Sequence, residues 1–130
     1  MIPIRLYAKG YSMSARILVV EDEFFIAQEI GEALESAGLT VLGPCPKVAA
    51  ALEILERGDP CDAAVLDASL RGVSSLPVCE ALALCGIPFV VVTGFSASQL
   101  PATMAAAPVL TKPLDPETLV HAVRGVLARG

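Results

Sequence analysis

The chain has 130 residues and a formal net charge of −5, and 55% of its residues are hydrophobic although only 5% are aromatic. This length fits one domain whose core consists of small side chains packed between helices and a sheet. The nine Lys and Arg residues are spread thinly over the whole length, which argues against a basic surface for nucleic acid.

The beginning of the chain differs from the rest. Residues 1–13 show no hydrophobic periodicity, and charges and proline interrupt their apolar residues, unlike a secretory signal. We interpret residues 1–13 as a flexible extension, an expression remnant or a misplaced start, and we place the domain at residues 14–130.

After this beginning, strand and helix patterns alternate. Uninterrupted apolar runs of strand length predict strands buried on both faces, and apolar residues at helical spacing predict helices. In chain order, the pattern predicts a strand at 17–20, a helix at 24–37, a strand at 39–42 closed by Gly43-Pro44, a helix at 46–57, a strand within 62–69, a loop at 70–73, a helix at 75–85, a strand at 87–92, at most a short or frayed helix within 96–107, a strand at 108–111 and a helix from Asp115 to 129.

This alternation of five strands with five helices predicts a single parallel sheet with helices on both faces. Right-handed crossovers between parallel strands leave few other arrangements. In such sheets the ligand crevice lies at the carboxyl ends of the strands. Residues at the strand ends are therefore the first candidates for a functional site.

Four of the predicted strands end in polar side chains. Glu21 and Asp22 follow the first strand, Asp67 ends the third, Thr93 follows the fourth and Lys112 follows the fifth. Three carboxylates close together repel one another unless a cation holds them, and Mg²⁺ is a small cation that prefers oxygen ligands. A lysine and a hydroxyl at the same edge favour a phosphoryl group, whose oxygens Mg²⁺, the ammonium and the hydroxyl would share.

These residue types predict an aspartyl phosphate site. Asp67 is the predicted nucleophile that attacks phosphorus. Asp22 would bind the metal directly, Glu21 would do so through water or at its edge, and the backbone carbonyl of Ser69 would supply a further oxygen. Taken singly, each residue also has a structural explanation, and it is their joint placement at the strand ends that favours the site.

The ordered motifs resemble the receiver domain of two-component response regulators, from residue 15 to residue 129. The motifs are Leu18-Val19-Val20-Glu21-Asp22-Glu23, Val65-Leu66-Asp67, Val91-Val92-Thr93-Gly94 and Leu110-Thr111-Lys112-Pro113. The resemblance implies a flavodoxin-like α/β fold, a doubly wound five-stranded parallel sheet with the strand order 2-1-3-4-5. It also implies Mg²⁺-dependent phosphotransfer to Asp67 from a histidine kinase or a histidine phosphotransfer protein, with Thr93 as the switch hydroxyl and Lys112 as the family's lysine.

Two features resemble the single-domain receivers that are named for a Phe-Ala-Thr-Gly motif. Val109 stands three residues before Lys112, where receivers commonly carry an aromatic switch residue, and the region between Thr93 and Lys112 is short and interrupted by Pro101. The motif match is partial, because Val91-Val92 stand in place of Phe-Ala. We therefore expect the signal to pass through the loop after Thr93, as order gained on phosphorylation.

The predicted function is a stand-alone receiver, with no catalysis beyond its own phosphoryl transfer and autodephosphorylation. It would signal through protein contacts or act as a phosphate sink or relay. The first alternative is a haloacid-dehalogenase-like phosphatase, whose Asp-x-Asp motif follows the first strand, where this chain has Glu21-Asp22-Glu23. The second alternative is a pseudo-receiver that keeps the fold as a phosphorylation-independent interaction module.

The remaining features favour a soluble cytoplasmic protein. No apolar run approaches the roughly 18 residues that a membrane-spanning helix needs. The four cysteines form no Cys-x-x-Cys pair and there is one histidine, so we interpret the cysteines as reduced small hydrophobes and expect no zinc site. We expect a monomer or weak homodimer without nucleic-acid or membrane partners. Of Phe24 and Phe25, we expect one to pack and the other to be partly exposed as a partner contact.

Overall fold

The computed structural model describes residues 14–94 and 99–129. Its elements are, in chain order, β1 (Arg16–Val20), α1 (Phe24–Ser36), β2 (Thr40–Cys45), α2 (Val48–Arg57), β3 (Ala63–Asp67), β4 (Ser69–Leu70), β5 (Val73–Ser74), α3 (Leu76–Leu84), β6 (Phe89–Thr93), α4 (Ala102–Ala105), β7 (Val109–Thr111) and α5 (Pro116–Arg129). Five of the strands form one parallel sheet in the order β2-β1-β3-β6-β7, which confirms the predicted flavodoxin-like fold.

Two of the predictions fall on residues that the structure does not describe. Residues 1–13, interpreted above as an extension, lie outside the described residues, and so do residues 95–98 of the loop after Thr93. None of the helices in the described part of the chain combines the length and the apolar composition that crossing a bilayer requires.

The central strands are buried on both faces of the sheet. One face packs against α2, α3 and α4, and the opposite face packs against α1 and α5. Because side chains alternate along a strand, Leu18 and Leu66 belong to the core on the side of α2, α3 and α4. Val19 and Val65 belong to the core on the side of α1 and α5. Every residue of β3 and β6 is buried, so their polar residues, Asp67 and Thr93, lie at the strand ends.

The prediction that Gly43-Pro44 closes the second strand is wrong, because β2 continues to Cys45. A register shift near the end of β1 accommodates the extra residues. Gly43 has a φ of 94°, a left-handed conformation that glycine adopts readily. The carbonyl of Cys45 then accepts a hydrogen bond from the N–H of Glu21 at 3.0 Å, which fixes the backbone at the start of the acidic motif.

The loop predicted at residues 70–73 is a β-hairpin. The strands β4 and β5 pair in antiparallel fashion. Arg71 and Gly72 form the turn between them with φ values of 52° and 82°, the positive values that a type I′ turn requires. The sequence pattern did not indicate this hairpin because each of its strands has only two residues, too few for an alternation to show.

The helices follow their predicted positions. Helix α4 spans only Ala102–Ala105, in agreement with the expected short helix. At the start of α5, the carboxylate of Asp115 accepts hydrogen bonds from the N–H of Thr118 at 3.1 Å and from its hydroxyl at 2.7 Å. This N-cap stabilises the helix that begins shortly after Lys112.

We expect Gly43→Ala to lower the free energy of unfolding by about 1–3 kcal/mol. Alanine disfavours the left-handed conformation, and its Cβ would lie 2.8 Å from the backbone N of Cys45 and 2.9 Å from the carbonyl O of Val19. Urea unfolding followed by circular dichroism measures the loss. Gly31→Ala is the matched control, since a Cβ at this helical position meets nothing within 4 Å and should stabilise the helix by up to about 1 kcal/mol. Equal stability of the two variants would contradict the strain assigned to Gly43.

Candidate functional site

The polar residues predicted at the strand ends lie at the same edge of the sheet. Glu21 directly follows β1, Asp67 is the last residue of β3 and Thr93 is the last residue of β6. Lys112 directly follows β7, and its N–H donates a hydrogen bond to the carbonyl of Thr93 at 2.9 Å. The parallel sheet therefore brings together segments that are far apart in the sequence.

The ammonium of Lys112 contacts three carboxylates. Its Nζ lies 2.7 Å from Asp67 Oδ2, 2.8 Å from Glu23 Oε2 and 3.5 Å from Glu21 Oε1. Partial burial acts to lower the pKa of Lys112, but hydrogen bonds to Asp67 and Glu23 outweigh this effect and raise the pKa above its ordinary value. The lysine therefore stays charged and offsets part of the repulsion between the acids.

Glu21, Asp22 and Asp67 form a carboxylate cluster, in which one oxygen of each residue lies within 4.8 Å of the others. Glu21 is only 2% exposed, and its Oε1 has no hydrogen-bond partner among the described residues. Burial raises the pKa of Glu21 to about 7, and the negative charge of Asp67 contributes to the rise. A buried carboxylate oxygen without a hydrogen bond, next to two further acids, fits a site for a hard divalent cation such as Mg²⁺.

Hydrogen bonds hold both the carboxylate and the backbone carbonyl of Asp67. The N–H of Ser69 donates a hydrogen bond to Asp67 Oδ1 at 3.0 Å, while Lys112 binds the other carboxylate oxygen. The buried hydroxyl of Ser75 donates to the backbone carbonyl of Asp67 at 2.6 Å. These contacts fix the orientation of the carboxylate. Ser69 contacts the Asp67 carboxylate through its N–H, and metal binding by its carbonyl stays a prediction.

Thr93 is fully buried at the end of β6. In the pairing of β3 with β6, Asp67 lies opposite Val92, so Thr93 is the next residue along the neighbouring strand. This position agrees with a hydroxyl near Asp67, and its role as a switch stays a prediction. Val109 is partly buried in β7 and packs against the core on the side of α2, α3 and α4.

Three further residues make contacts at the site that the sequence did not assign. Glu23 binds Lys112, and Ser75 binds the backbone of Asp67. Arg71 Nε lies 3.4 Å from Asp22 Oδ2. Glu23 could have been predicted at the site, because it belongs to the acidic run that begins at Glu21. No sequence pattern indicates Arg71, because its position depends on the hairpin.

Phe24 and Phe25 are both exposed beside the acidic motif, at 71% and 79%. The prediction that one of them packs is therefore wrong. Their rings contact each other edge to face, with centroids 5.4 Å apart. Helix α1 instead turns Ala27, Ile30 and Leu34 inward, and the rings of Phe24 and Phe25 stay outside the core.

Comparisons with known proteins agree with this fold. The family model of the response regulator receiver domain matches residues 17–124. The solution structure of SdrG from Sphingomonas melonis Fr1 is 41% identical with a TM-score of 0.77, covering 88% of this chain and 97% of that chain. The BeF3-activated conformation of SdrG from Pseudomonas melonis Fr1 is 41% identical with a TM-score of 0.73, covering 86% and 95%.

A more distant structure supports the fold alone. The CheY-like response regulator receiver domain protein from Methanospirillum hungatei JF-1 is 23% identical with a TM-score of 0.76, covering 89% of this chain and 95% of that chain. No curated protein matches the sequence.

The raised pKa of Glu21 predicts that the metal-free protein loses stability as the pH rises from 4.5 to about 7. In this range the folded state retains a proton that the unfolded chain has released, so the free energy of unfolding falls with pH. Glu21→Gln should therefore raise the free energy of unfolding by up to about 3 kcal/mol at pH 8, and by less than about 1 kcal/mol at pH 5. Urea unfolding in EDTA at both pH values measures the difference.

Glu35→Gln is the control for this experiment, because Glu35 is an exposed residue of α1. Its effect on the free energy of unfolding should be small and the same at both pH values. If Glu21→Gln is less stable than the wild type at pH 8, burial of the Glu21 carboxylate does not carry the cost that we assign to it.

Proposed function

Because the chain belongs to the response regulator receiver domain family, we propose that it accepts a phosphoryl group on Asp67. The proposed donor is the phosphohistidine of a histidine kinase or of a histidine phosphotransfer protein, and the transfer depends on Mg²⁺. One observation carries the proposal. At the end of β3, Lys112 Nζ lies 2.7 Å from Asp67 Oδ2, and oxygens of Glu21 and Asp22 lie within 4.8 Å of an oxygen of Asp67.

In the proposed transfer, a carboxylate oxygen of Asp67 forms a bond to phosphorus, and the bond between phosphorus and the donor nitrogen breaks. The ammonium of Lys112 is already at hydrogen-bond distance from this carboxylate, so it can bind an oxygen of the arriving phosphoryl group. The hydroxyl of Thr93 binds a second oxygen. Orientation of Asp67 by the Ser69 amide reduces the freedom that the carboxylate would lose on reaction.

The proposed metal ligands are the carboxylates of Asp22 and Asp67 and the carbonyl of Ser69, with Glu21 acting through water or at the edge of the site. Bound Mg²⁺ would supply positive charge to the phosphoryl oxygens in addition to that of Lys112. The buried Oε1 of Glu21 supports this assignment, because it has no hydrogen bond among the described residues and a cation or its water would contact it directly.

We also propose that the protein acts as a stand-alone receiver in the cytoplasm, as a monomer or weak homodimer without nucleic-acid or membrane partners. It signals through protein contacts or serves as a phosphate sink or relay. The match to SdrG, which covers 97% of that chain, supports a protein of this size. With Val109 in place of an aromatic residue, the signal passes through the loop after Thr93. The BeF3-activated conformation of SdrG supports a response of this chain to a phosphoryl mimic.

Incubation with acetyl phosphate tests the proposal directly. We expect Mg²⁺ to be required and intact-protein mass spectrometry to show one phosphoryl group per chain. Asp67→Asn should abolish the label, since an amide is not a nucleophile of this kind. Asp59→Asn is the matched control, because Asp59 pairs with Arg57 before the start of β3, at the opposite edge of the sheet, and should keep full labelling.

Other outcomes would favour the two alternatives. Rapid multiple turnover of phosphomonoesters that survives Asp67→Asn would favour the haloacid-dehalogenase-like phosphatase. A protein that takes no label and binds no beryllofluoride would be a phosphorylation-independent interaction module.

A further inference from the structure

The hairpin of β4 and β5 holds Arg71 beside the carboxylate cluster. Leu70 anchors the hairpin in the core, and Ser75 anchors its end through the hydrogen bond to the Asp67 carbonyl. Arg71 has a φ of 52° and is, within residues 14–94 and 99–129, the one residue other than glycine with a positive φ. Such strained positions are common at functional sites, which makes the side chain at this turn a candidate for a role at the carboxylate cluster.

The positive charges of the site are divided between two side chains. Four acids lie at the site, because Glu23 is added to the three of the carboxylate cluster. Lys112 contacts Glu21, Glu23 and Asp67, and Arg71 contacts Asp22. The Lys112 side chain is 20% exposed, whereas that of Arg71 is 81% exposed. Arg71 therefore approaches Asp22 from the solvent side and can move away without disturbing the core.

A divalent cation at the cluster would compete with this arginine. Arg71 Nε lies 3.4 Å from Asp22 Oδ2, and Asp22 is one of the three acids whose oxygens converge. Two cations at one carboxylate repel each other. The guanidinium is the cation that leaves, because it is exposed and singly charged and water can solvate it away from Asp22. Lys112 is held by three acids and has no comparable freedom.

We propose that Arg71 is a tethered counterion of Asp22, which compensates this acid in the metal-free protein and is displaced when Mg²⁺ binds. The inference rests on the proposed function, since it takes the carboxylate cluster as the Mg²⁺ site. Its consequence is that Arg71 weakens Mg²⁺ binding and so sets the metal concentration at which the site fills. The strained turn places the base of this side chain at the site, so the guanidinium competes at a high local concentration.

Isothermal titration with MgCl₂ measures the effect in the full chain. We expect Arg71→Ala to tighten Mg²⁺ binding about two- to fivefold, the factor that corresponds to one exposed ion pair. Alanine meets the same backbone restriction as arginine at positive φ, so the turn is not relieved of strain. Arg71→Lys keeps the charge and should stay close to the wild-type affinity.

Arg57→Ala is the matched control. It removes the same charge from a residue that pairs with Glu53 and Asp59, away from the cluster. Its Mg²⁺ affinity should match that of the wild type if the effect of Arg71 is local. Equal tightening by Arg57→Ala would assign the effect to net charge and overturn the inference.

Nuclear magnetic resonance gives a second readout that does not depend on phosphorylation. During the Mg²⁺ titration of the wild type, the Nε–Hε signal of Arg71 should shift with the same midpoint as the amide of Ser69, which binds Asp67. An Arg71 signal that does not move, or unchanged or weaker Mg²⁺ binding in Arg71→Ala, overturns the inference and leaves the proposed function intact. A wild type that binds no Mg²⁺ at all overturns both.

Discussion

Repulsion between carboxylates is the constraint on which the functional edge of this protein depends. Glu21, Asp22 and Asp67 bring oxygens within 4.8 Å of one another at the ends of two neighbouring strands. Such a group is unfavourable unless positive charge accompanies it. Lys112 after β7 and Arg71 in the hairpin supply that charge from parts of the chain outside these strands. The site is therefore a balance of charges that no single segment could provide.

The fold makes this balance possible by separating apolar from polar residues along each strand. The strands β3 and β6 are buried throughout, and helices cover both faces of the sheet. The cost appears at Glu21, where burial raises the pKa to about 7 and one oxygen has no hydrogen bond among the described residues. A carboxylate cluster that is unfavourable without a metal is well suited to bind a cation, so the proposed function opposes stability.

Much of the fold followed from local patterns. Apolar runs and helical spacing predicted every strand of the parallel sheet and every helix of the described residues, because burial on two faces leaves a strong signal in the sequence. The errors fell where backbone geometry departs from regular patterns. Gly43 carries β2 past its expected end, and the turn at Arg71 converts an expected loop into a hairpin. Both depend on positive φ values that a pattern of apolar residues does not encode.

Local patterns in the sequence were enough to identify the residues at the strand ends, and the resemblance of the motifs to receiver domains predicted that Glu21, Asp67 and Lys112 share one site. The pairing of the charged side chains became visible in the folded protein alone. Arg71 pairs with Asp22, and Lys112 contacts three acids. Phe24 is exposed. The physical reason is that electrostatic contacts depend on distances of a few ångströms between segments far apart in the chain, whereas strands and helices depend on neighbours within it.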